Sequence, residues 1–294
     1  MVSAADARDG ELSSGPELPS LSPSRAADFK TCPLLYRFRT IDRLPERPTA
    51  DQARGTLVHA VLERLFDLPS ADRTPDAAAG LVAPQWARLI ADEPELAGVF
   101  GSEGTADGIL DSARDLLAGY FRLEDPRWLE PAERESLVTT LVDGKLVIRG
   151  YVDRLDVAPD GALRVVDYKS GGAPREAFEA RALFQLKFYA LVLWRTHGRV
   201  PRVLRLLYLK DAEICDYAPD AQELVRFERT IVALWQAIDR ATAARDFRPK
   251  PSRLCGWCSH QAHCPAFGGT LPPFPDLSTR PTDAGVIPAA GADE

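Results

Sequence analysis

Two stretches of this chain carry side chains whose type and spacing could do chemistry. The first is Gly150-Tyr-Val-Asp153, followed across a Pro159-Asp160-Gly161 turn by Asp167-Tyr-Lys169. Residues two apart on a strand share a face, so Asp167 and Lys169 project together and Tyr168 projects oppositely. A three-residue loop sets Ala158 beside Ala162 and, counting outward, Asp153 beside Asp167, with Cα atoms about 4.5–5.5 Å apart. Facing carboxylates repel. A hard divalent cation with oxygen ligands would relieve that repulsion, and Lys169 would stabilise charge developing on a phosphate. Taken singly, each residue is better read as a surface ion pair, Asp153 with Arg149 or Arg154 and Asp167 with Lys169. As a set they resist that reading, because Asp167 and Lys169 interrupt an apolar strand where burial is expected. Asp156, three residues from Asp153, is expected to face away and to be structural.

The second stretch is Cys255-Gly-Trp-Cys258-Ser-His-Gln-Ala-His-Cys264-Pro265, with Cys32 far upstream. The C-x2-C-x5-C spacing puts three thiolates on one small loop, and a four-thiolate site needs one more. Zinc takes four thiolates tetrahedrally and a [4Fe–4S] cluster also takes four. His260 and His263 keep open a zinc site of three thiolates and one imidazole. On spacing alone zinc is slightly favoured. Cys215, isolated in a short apolar run, reads as an ordinary buried thiol.

Three further positions gain meaning only beside these. His59, on GTLVHAVLERLF, is a lone helical histidine, more often packed than a ligand, although a neutral imidazole can complete a metal site. Gln185 and Tyr189, four apart, share a helix face. Glu135 is a further candidate acid, with Glu133 competing for the same role.

The elements that must position these groups follow from hydrophobic periodicity. A helix RAADFKTCPLLYRF is expected, capped by Ser24, and a second over Ala50 to Phe66, where Leu57, Val61, Leu62 and Leu65 recur at helical spacing. A helical insertion of about 70–130, broken at Pro94 and Pro126, carries no chemical motif. Three antiparallel strands follow: SLVTTLV, KLVIRGYVDRLDVA and ALRVVDYKS, joined at Asp143-Gly144 and Pro159-Asp160-Gly161. Then come a helix from about Arg175 to Thr196, a strand RVLRLLYLK, a weaker strand near Glu213 to Tyr217, and a helix from Ala221 to Ala244. This order predicts an α/β fold, a mixed β-sheet flanked by helices. Residues 1–22 and 271–294, rich in Ser, Pro, Gly and Ala, are expected to be disordered, leaving a single domain over 23–270.

Composition bounds the class. The 294 residues are 45% hydrophobic and 27% charged, an ordinary globular balance, and no apolar run is long enough for a membrane span. The N-terminus has neither the basic start nor the apolar stretch of a secretion signal, so a cytoplasmic location, with reduced thiols, is expected. The net charge of −7 argues against an indiscriminate polyanion binder, yet between Ala180 and Lys210 there are seven Lys/Arg and no acid. A local basic track can still meet phosphates.

Together the motifs resemble the RecB-like, AddB-type branch of the PD-(D/E)XK nucleases. The matching residues are Gly55-x3-His59, Gly150-x2-Asp153, Asp167-Tyr168-Lys169, Gln185-x3-Tyr189 and the four cysteines, in the family's order over residues 32 to 264. The resemblance implies a restriction-endonuclease-like αβββαβ core. It implies that His59, Asp153, Asp167 and the carbonyl of Tyr168 bind Mg²⁺ or Mn²⁺, that Lys169 is catalytic, and that Gln185 and Tyr189 lie beside the site. It further implies a [4Fe–4S] cluster on Cys32, Cys255, Cys258 and Cys264, with Zn²⁺ as the lesser alternative. DNA, single-stranded or end-bearing, would be the partner, with exonucleolytic hydrolysis in repair or recombination and a helicase or repair complex as a further partner. No G-x-x-x-x-G-K-[ST] occurs, so ATP-driven unwinding is not expected of this chain. The competing readings are a non-catalytic DNA-binding or assembly subunit of the same fold, and a zinc-stabilised protein of unrelated function.

Overall fold

The computed structural model describes residues 18–99, 106–173 and 179–277. The chain enters through a two-residue strand, β1 (Ser20–Leu21), inside the segment expected to be disordered; it pairs parallel with Val147–Ile148. Helix α1 (Pro23–Thr31) is capped by Ser22 rather than Ser24, the Ser22 hydroxyl accepting from the Arg25 N–H at 3.3 Å. Pro23 sits at the first turn, where a missing N–H costs nothing. The expected single helix breaks at Cys32, which is extended (φ −158°) before Pro33, as the steric restriction on a residue preceding proline requires. A short α2 (Pro33–Tyr36) and a wide π-helical turn, Arg37–Ile41, follow.

Helix α3 (Ala50–Leu65) starts in a reciprocal cap between Thr49 and Gln52. It packs with α4 (Pro75–Asp92) and α5 (Ala106–Leu123), whose Val82, Trp86, Leu116, Leu117 and Tyr120 meet Leu57, Val61, Leu62 and Leu65. Short turns begin at Pro94 and Pro126, where the helical run was expected to break.

The sheet is built from β2 (Glu133–Val142), β3 (Leu146–Val157), β4 (Leu163–Lys169), β5 (Val203–Tyr208) and β6 (Glu213–Tyr217). The pairs β2–β3 and β3–β4 are antiparallel, β4–β5 is parallel, and β5–β6 is antiparallel. The β2–β3 turn uses Asp143 (φ 52°) and Gly144 (φ 63°), a left-handed pair matched to strand twist. A parallel pair needs a crossover, and α6 (Glu179–His197) supplies it; residues 174–178, at the expected start of that helix, lie outside the described residues. Helix α7 (Ala221–Ala244) closes the layer. The mixed α/β architecture is therefore as the sequence predicts, with β1 and β6 extending the sheet.

Each face of the sheet has its own core. Ile148, Val152, Leu155, Val165, Leu204 and Leu206 pack against α6 and α7, whereas Val166, Tyr168, Leu207 and Leu209 pack against α3–α5. The stretch from 271 to 277 is also docked. Arg37 donates to the Pro272 carbonyl at 2.6 Å and lies over the Phe274 ring, which stacks on Phe247.

One close approach fixes how the insertion meets the sheet. A Cβ on Gly119 of α5 would stand 1.9 Å from the Leu209 carbonyl oxygen. Helix propensity favours alanine over glycine by about 1 kcal/mol, but overpacking against backbone costs about 1–3 kcal/mol or more. Gly119→Ala is therefore expected to lower the urea midpoint at unchanged m. A raised midpoint would show that α5 does not lie this close to the sheet.

Candidate metal and catalytic centre

The ends of β3 and β4 are shaped by a local break in the sheet. Strand β3 pairs with β4 from Val157–Leu163 to Arg154–Val166, in the register that sets Ala158 beside Ala162. The next step would bring Asp153 opposite Asp167, and there the ladder stops. In its place the Tyr168 N–H donates to Asp153 Oδ2 at 2.7 Å. On the other side β2 pairs with β3 at Arg134–Arg154 and Ser136–Val152 but skips Glu135 opposite Asp153, and Glu135 has φ 43°. Val152 and Leu155 both face α6, so the in–out alternation slips by one residue at Asp153. A non-glycine residue at positive φ within a strand is strained, and here the strain lies among the carboxylates that face α3.

His59, on α3, receives them. Its Nδ1 lies 3.2 Å from Glu135 Oε1 and 3.5 Å from Asp153 Oδ2, and its Nε2 lies 3.1 Å from the Tyr168 carbonyl oxygen. Donor atoms of His59, Glu135 and Asp153 all fall within 4.8 Å of one another, spacing that suits a single cation. Glu133, the competing acid, instead accepts from the Ser136 hydroxyl. Gly55, one turn before His59, lets α3 come close to β4: a Cβ there would meet Ser170 Oγ at 3.2 Å.

Asp167, 1% exposed, lies beside this group, with Oδ2 2.6 Å from Lys169 Nζ. That buried oxygen accepts no hydrogen bond among the described residues, which leaves it lone-pair capacity for a cation. Lys169 also donates to Gln185 Oε1 at 3.0 Å, and Gln185 Nε2 donates to the Tyr189 hydroxyl at 2.9 Å. Asp167 ion-pairs with Lys169, and hydrogen bonds carry the file on through Gln185 to Tyr189, from β4 onto α6. Tyr189 packs so tightly on β3 that a Cβ on Gly150 would stand 2.6 Å from its ring. Arg154 does not pair with Asp153. It is fully buried and bonds Glu124 and Asp156 instead, which leaves Asp156 outside the site.

Cys32, Cys255, Cys258 and Cys264 line one pocket together with Leu34, Phe38 and Pro249, and none is in a disulfide. Peptide N–H groups of Lys250 and Ser252 point at the Cys32 and Cys255 sulfurs, each at 3.3 Å. Burial pushes the Cys258 thiol up, and the other three cysteines add to the shift. His260 is buried against Phe38 with Nε2 2.6 Å from Glu46 Oε1, and so is held by another partner. Cys215 packs against the α6 core, away from the pocket.

A mixed sheet flanked by helices, with opposed acids and a lysine at the broken end of two central strands, is the framework of a metal-dependent nuclease. The chain belongs to the PD-(D/E)XK nuclease superfamily, whose model matches residues 20–265; nucleases of this superfamily use divalent metals. It is similar to the "Gene 69 protein" of Mycobacterium phage D29, 26% identical over 273 residues covering 85% of this chain and 98% of that protein. The "Gene 69 protein" of Mycobacterium phage L5 is 25% identical over 292 residues, covering 85% and 97% respectively. Among solved structures, one from Eubacterium rectale described as a "Putative exonuclease" shares the fold. It aligns with a TM-score of 0.52 at 12% identity, covering 81% of this chain and 86% of that one.

Two of the donors, His59 and Asp153, have their pKa values raised by their surroundings. Burial alone would lower the His59 pKa, but Asp153 and Glu135 beside it outweigh that and raise it to about 9. Burial, with Asp167 and Glu135 adding, pushes Asp153 up to about 7 against the pull of His59. Both groups bind protons more tightly folded than unfolded, so the stability they contribute falls as pH rises. For Asp153 the loss begins near an unfolded value of about 3.9. For His59 the contribution is complete below about 6.5 and is lost through about 9. Cation binding needs both groups deprotonated and must release protons. The rise in unfolding temperature on adding Mn²⁺ is therefore expected to grow from neutral pH to about 9, with proton uptake by the buffer seen in calorimetry. A stabilisation independent of pH would place the ion on other donors.

Proposed function

We propose that this protein is a RecB-like deoxyribonuclease that hydrolyses phosphodiester bonds in single-stranded or end-bearing DNA with Mg²⁺ or Mn²⁺. The observation that carries this reading is the convergence of Asp153, Asp167 and Lys169 at one break in the sheet, beside His59. Bound there, the ion would polarise a phosphoryl oxygen and lower the pKa of its water. His59, Asp153 and Asp167, joined by Glu135, are the donors, with the Tyr168 carbonyl beside them. Lys169, held by Asp167 and Gln185, presents a preorganised positive charge to the phosphate as negative charge develops. Gln185 and Tyr189 keep the lysine from swinging away.

A groove of about 610 Å³ opens from Gln185 and Tyr189 between the start of α1 and the β2–β3 surface. Ser22, Ser24, Arg25 and Arg149 line it with hydroxyls and positive charge, and Tyr151, 58% exposed, offers a stacking face. Among the described residues no carboxylate lines it. Cations along a backbone track and aromatic faces for bases are the means by which single strands are held. The in vivo role we favour is an end-processing exonuclease in DNA repair or recombination, in the cytoplasm and with a helicase or repair complex as partner.

We assign the four cysteines a [4Fe–4S] cluster, with zinc as the alternative occupant of four thiolates; the four line one pocket and none is in a disulfide. The N–H groups aimed at sulfur support bound thiolates.

Anaerobically purified protein is expected to be brown, to contain iron, and to degrade end-labelled single strands only with Mg²⁺ or Mn²⁺. Asp167→Asn and Lys169→Ala should each cost about 10²–10³-fold or more in rate. Arg149→Ala should flatten the salt dependence of strand binding by a slope of about 1, and Tyr151→Ala should weaken binding by about 1–3 kcal/mol. Strand binding without cleavage at any divalent metal would replace this reading with that of a non-catalytic DNA-binding subunit.

A further inference from the structure

The helical insertion carries no chemical motif, yet its end meets a fully buried charged group on β3. Arg154 is 0% exposed and uses all five guanidinium N–H donors. Its Nη1 donates to Glu124 Oε2 at 2.8 Å and to the Tyr168 hydroxyl at 3.0 Å. Its Nη2 donates to Glu124 Oε1 at 3.1 Å and to Asp156 Oδ2 at 3.2 Å, and its Nε donates to the same Asp156 Oδ2 at 3.3 Å. The guanidinium also lies 5.8 Å from the ring centroids of Phe66 and Tyr168. Glu124 directly follows α5, its N–H bonded to the Tyr120 carbonyl, so the fork joins the end of the insertion to the central strands. An apolar replacement of similar shape commonly costs nothing or stabilises. A buried, fully engaged ion pair therefore serves geometry better than it serves stability.

The geometry it fixes is that of Tyr168. Arg154 holds the hydroxyl, and the rings of Tyr120 and His59 stand edge-on to the phenol at 5.9 and 5.8 Å. With the ring pinned at its far end, the Tyr168 peptide groups are pinned too. One donates its N–H to Asp153 Oδ2 at 2.7 Å, and the carbonyl lies 3.1 Å from His59 Nε2. Groups that orient a metal-binding histidine tune the site as much as the ligands do. Here the Tyr168 carbonyl faces Nε2 of His59, while Glu135 and Asp153 face Nδ1.

We propose that the Glu124–Arg154–Tyr168 strut is a positioning device: through it the insertion fixes the Tyr168 peptide, and with it the Asp153 carboxylate and the His59 ring, for the cation. This rests on the divalent-metal reading above, and its test separates the two. Mn²⁺ affinity is measured by titration calorimetry on the full chain, in wild type, Tyr168→Phe, Glu124→Gln and Arg154→Lys, at a temperature where each is folded. The expected result is an affinity loss of about 10–100-fold in Tyr168→Phe and Glu124→Gln, with Arg154→Lys in between. Unfolding temperatures that move little beside that loss would separate positioning from general destabilisation. Variant affinities within about twofold of wild type would overturn the strut whether or not one variant fails to fold. Absence of divalent binding by wild type would overturn the metal reading itself.

Discussion

The constraint on which this structure turns is the burial of two carboxylates at the same break in a sheet. Asp153 and Asp167 are 8% and 1% exposed, and an unpaired buried charge costs several kcal/mol. The chain answers each separately. Asp167 has the Lys169 ammonium against it; Asp153 has the Tyr168 N–H and the His59 ring. With no cation present, the raised proton affinity of His59 and Asp153 holds down the net negative charge. The site is therefore a place where the fold gives up stability to keep oxygen donors in a dry, fixed arrangement. A divalent ion recovers part of that deficit, which makes ion binding and local order the same event.

Such a site needs a scaffold that does not relax, and the two cores supply it from opposite faces. Helix α6 presses Tyr189 onto the bare Gly150 backbone and holds Lys169 through Gln185. Helix α3 brings His59 down on the other face, with Gly55 allowing the approach. Counted from Val152, which faces α6, Asp153 projects toward α3; the break lets the next residue, Arg154, project to that side as well, against Glu124 and Tyr168. Regular pairing resumes immediately on both sides, so the distortion is confined to the residues that use it.

How much of this was legible depended on the range of the forces involved. Strands β2–β4 and helix α7 were readable because alternation and helical spacing are local. The shared faces of Asp167 with Lys169 and of Gln185 with Tyr189 need only period two and period four, whereas the Lys169–Gln185 contact that joins them is tertiary. The break of the first helix at Cys32 was in principle readable from Cys32-Pro33, although the apolar run across it masked the signal. Glu135 was not separable from Glu133, since the two share a face in any regular strand; only the left-handed turn of the backbone at Glu135 sends them to different partners. Arg154 looked like a surface partner for Asp153. Its true partner, Glu124, lies thirty residues earlier at the end of the insertion, and nothing local announces the meeting. Strand β1 and the docked Phe274 sit in Ser- and Pro-rich sequence, where a single well-placed apolar residue leaves no periodic trace.

A group held in the cysteine pocket would have a geometric consequence beyond joining distant parts of the chain. Closing a loop of over two hundred residues adds only logarithmically to the entropy a clamp removes from the unfolded chain, and Arg37, Phe247 and Phe274 already join the same two ends. What the Cys32 tether can do that those contacts cannot is fix the end of α1. The other end of that helix lines the groove with Ser22, Ser24 and Arg25, and Lys30 lies over the Phe184 ring beside Gln185. Helix α1 is thus a short rigid link, capped at Ser22 and broken at Cys32, between the thiolates and the path to the acids. A group bound by the four thiolates would act on the hydrolytic site through that link.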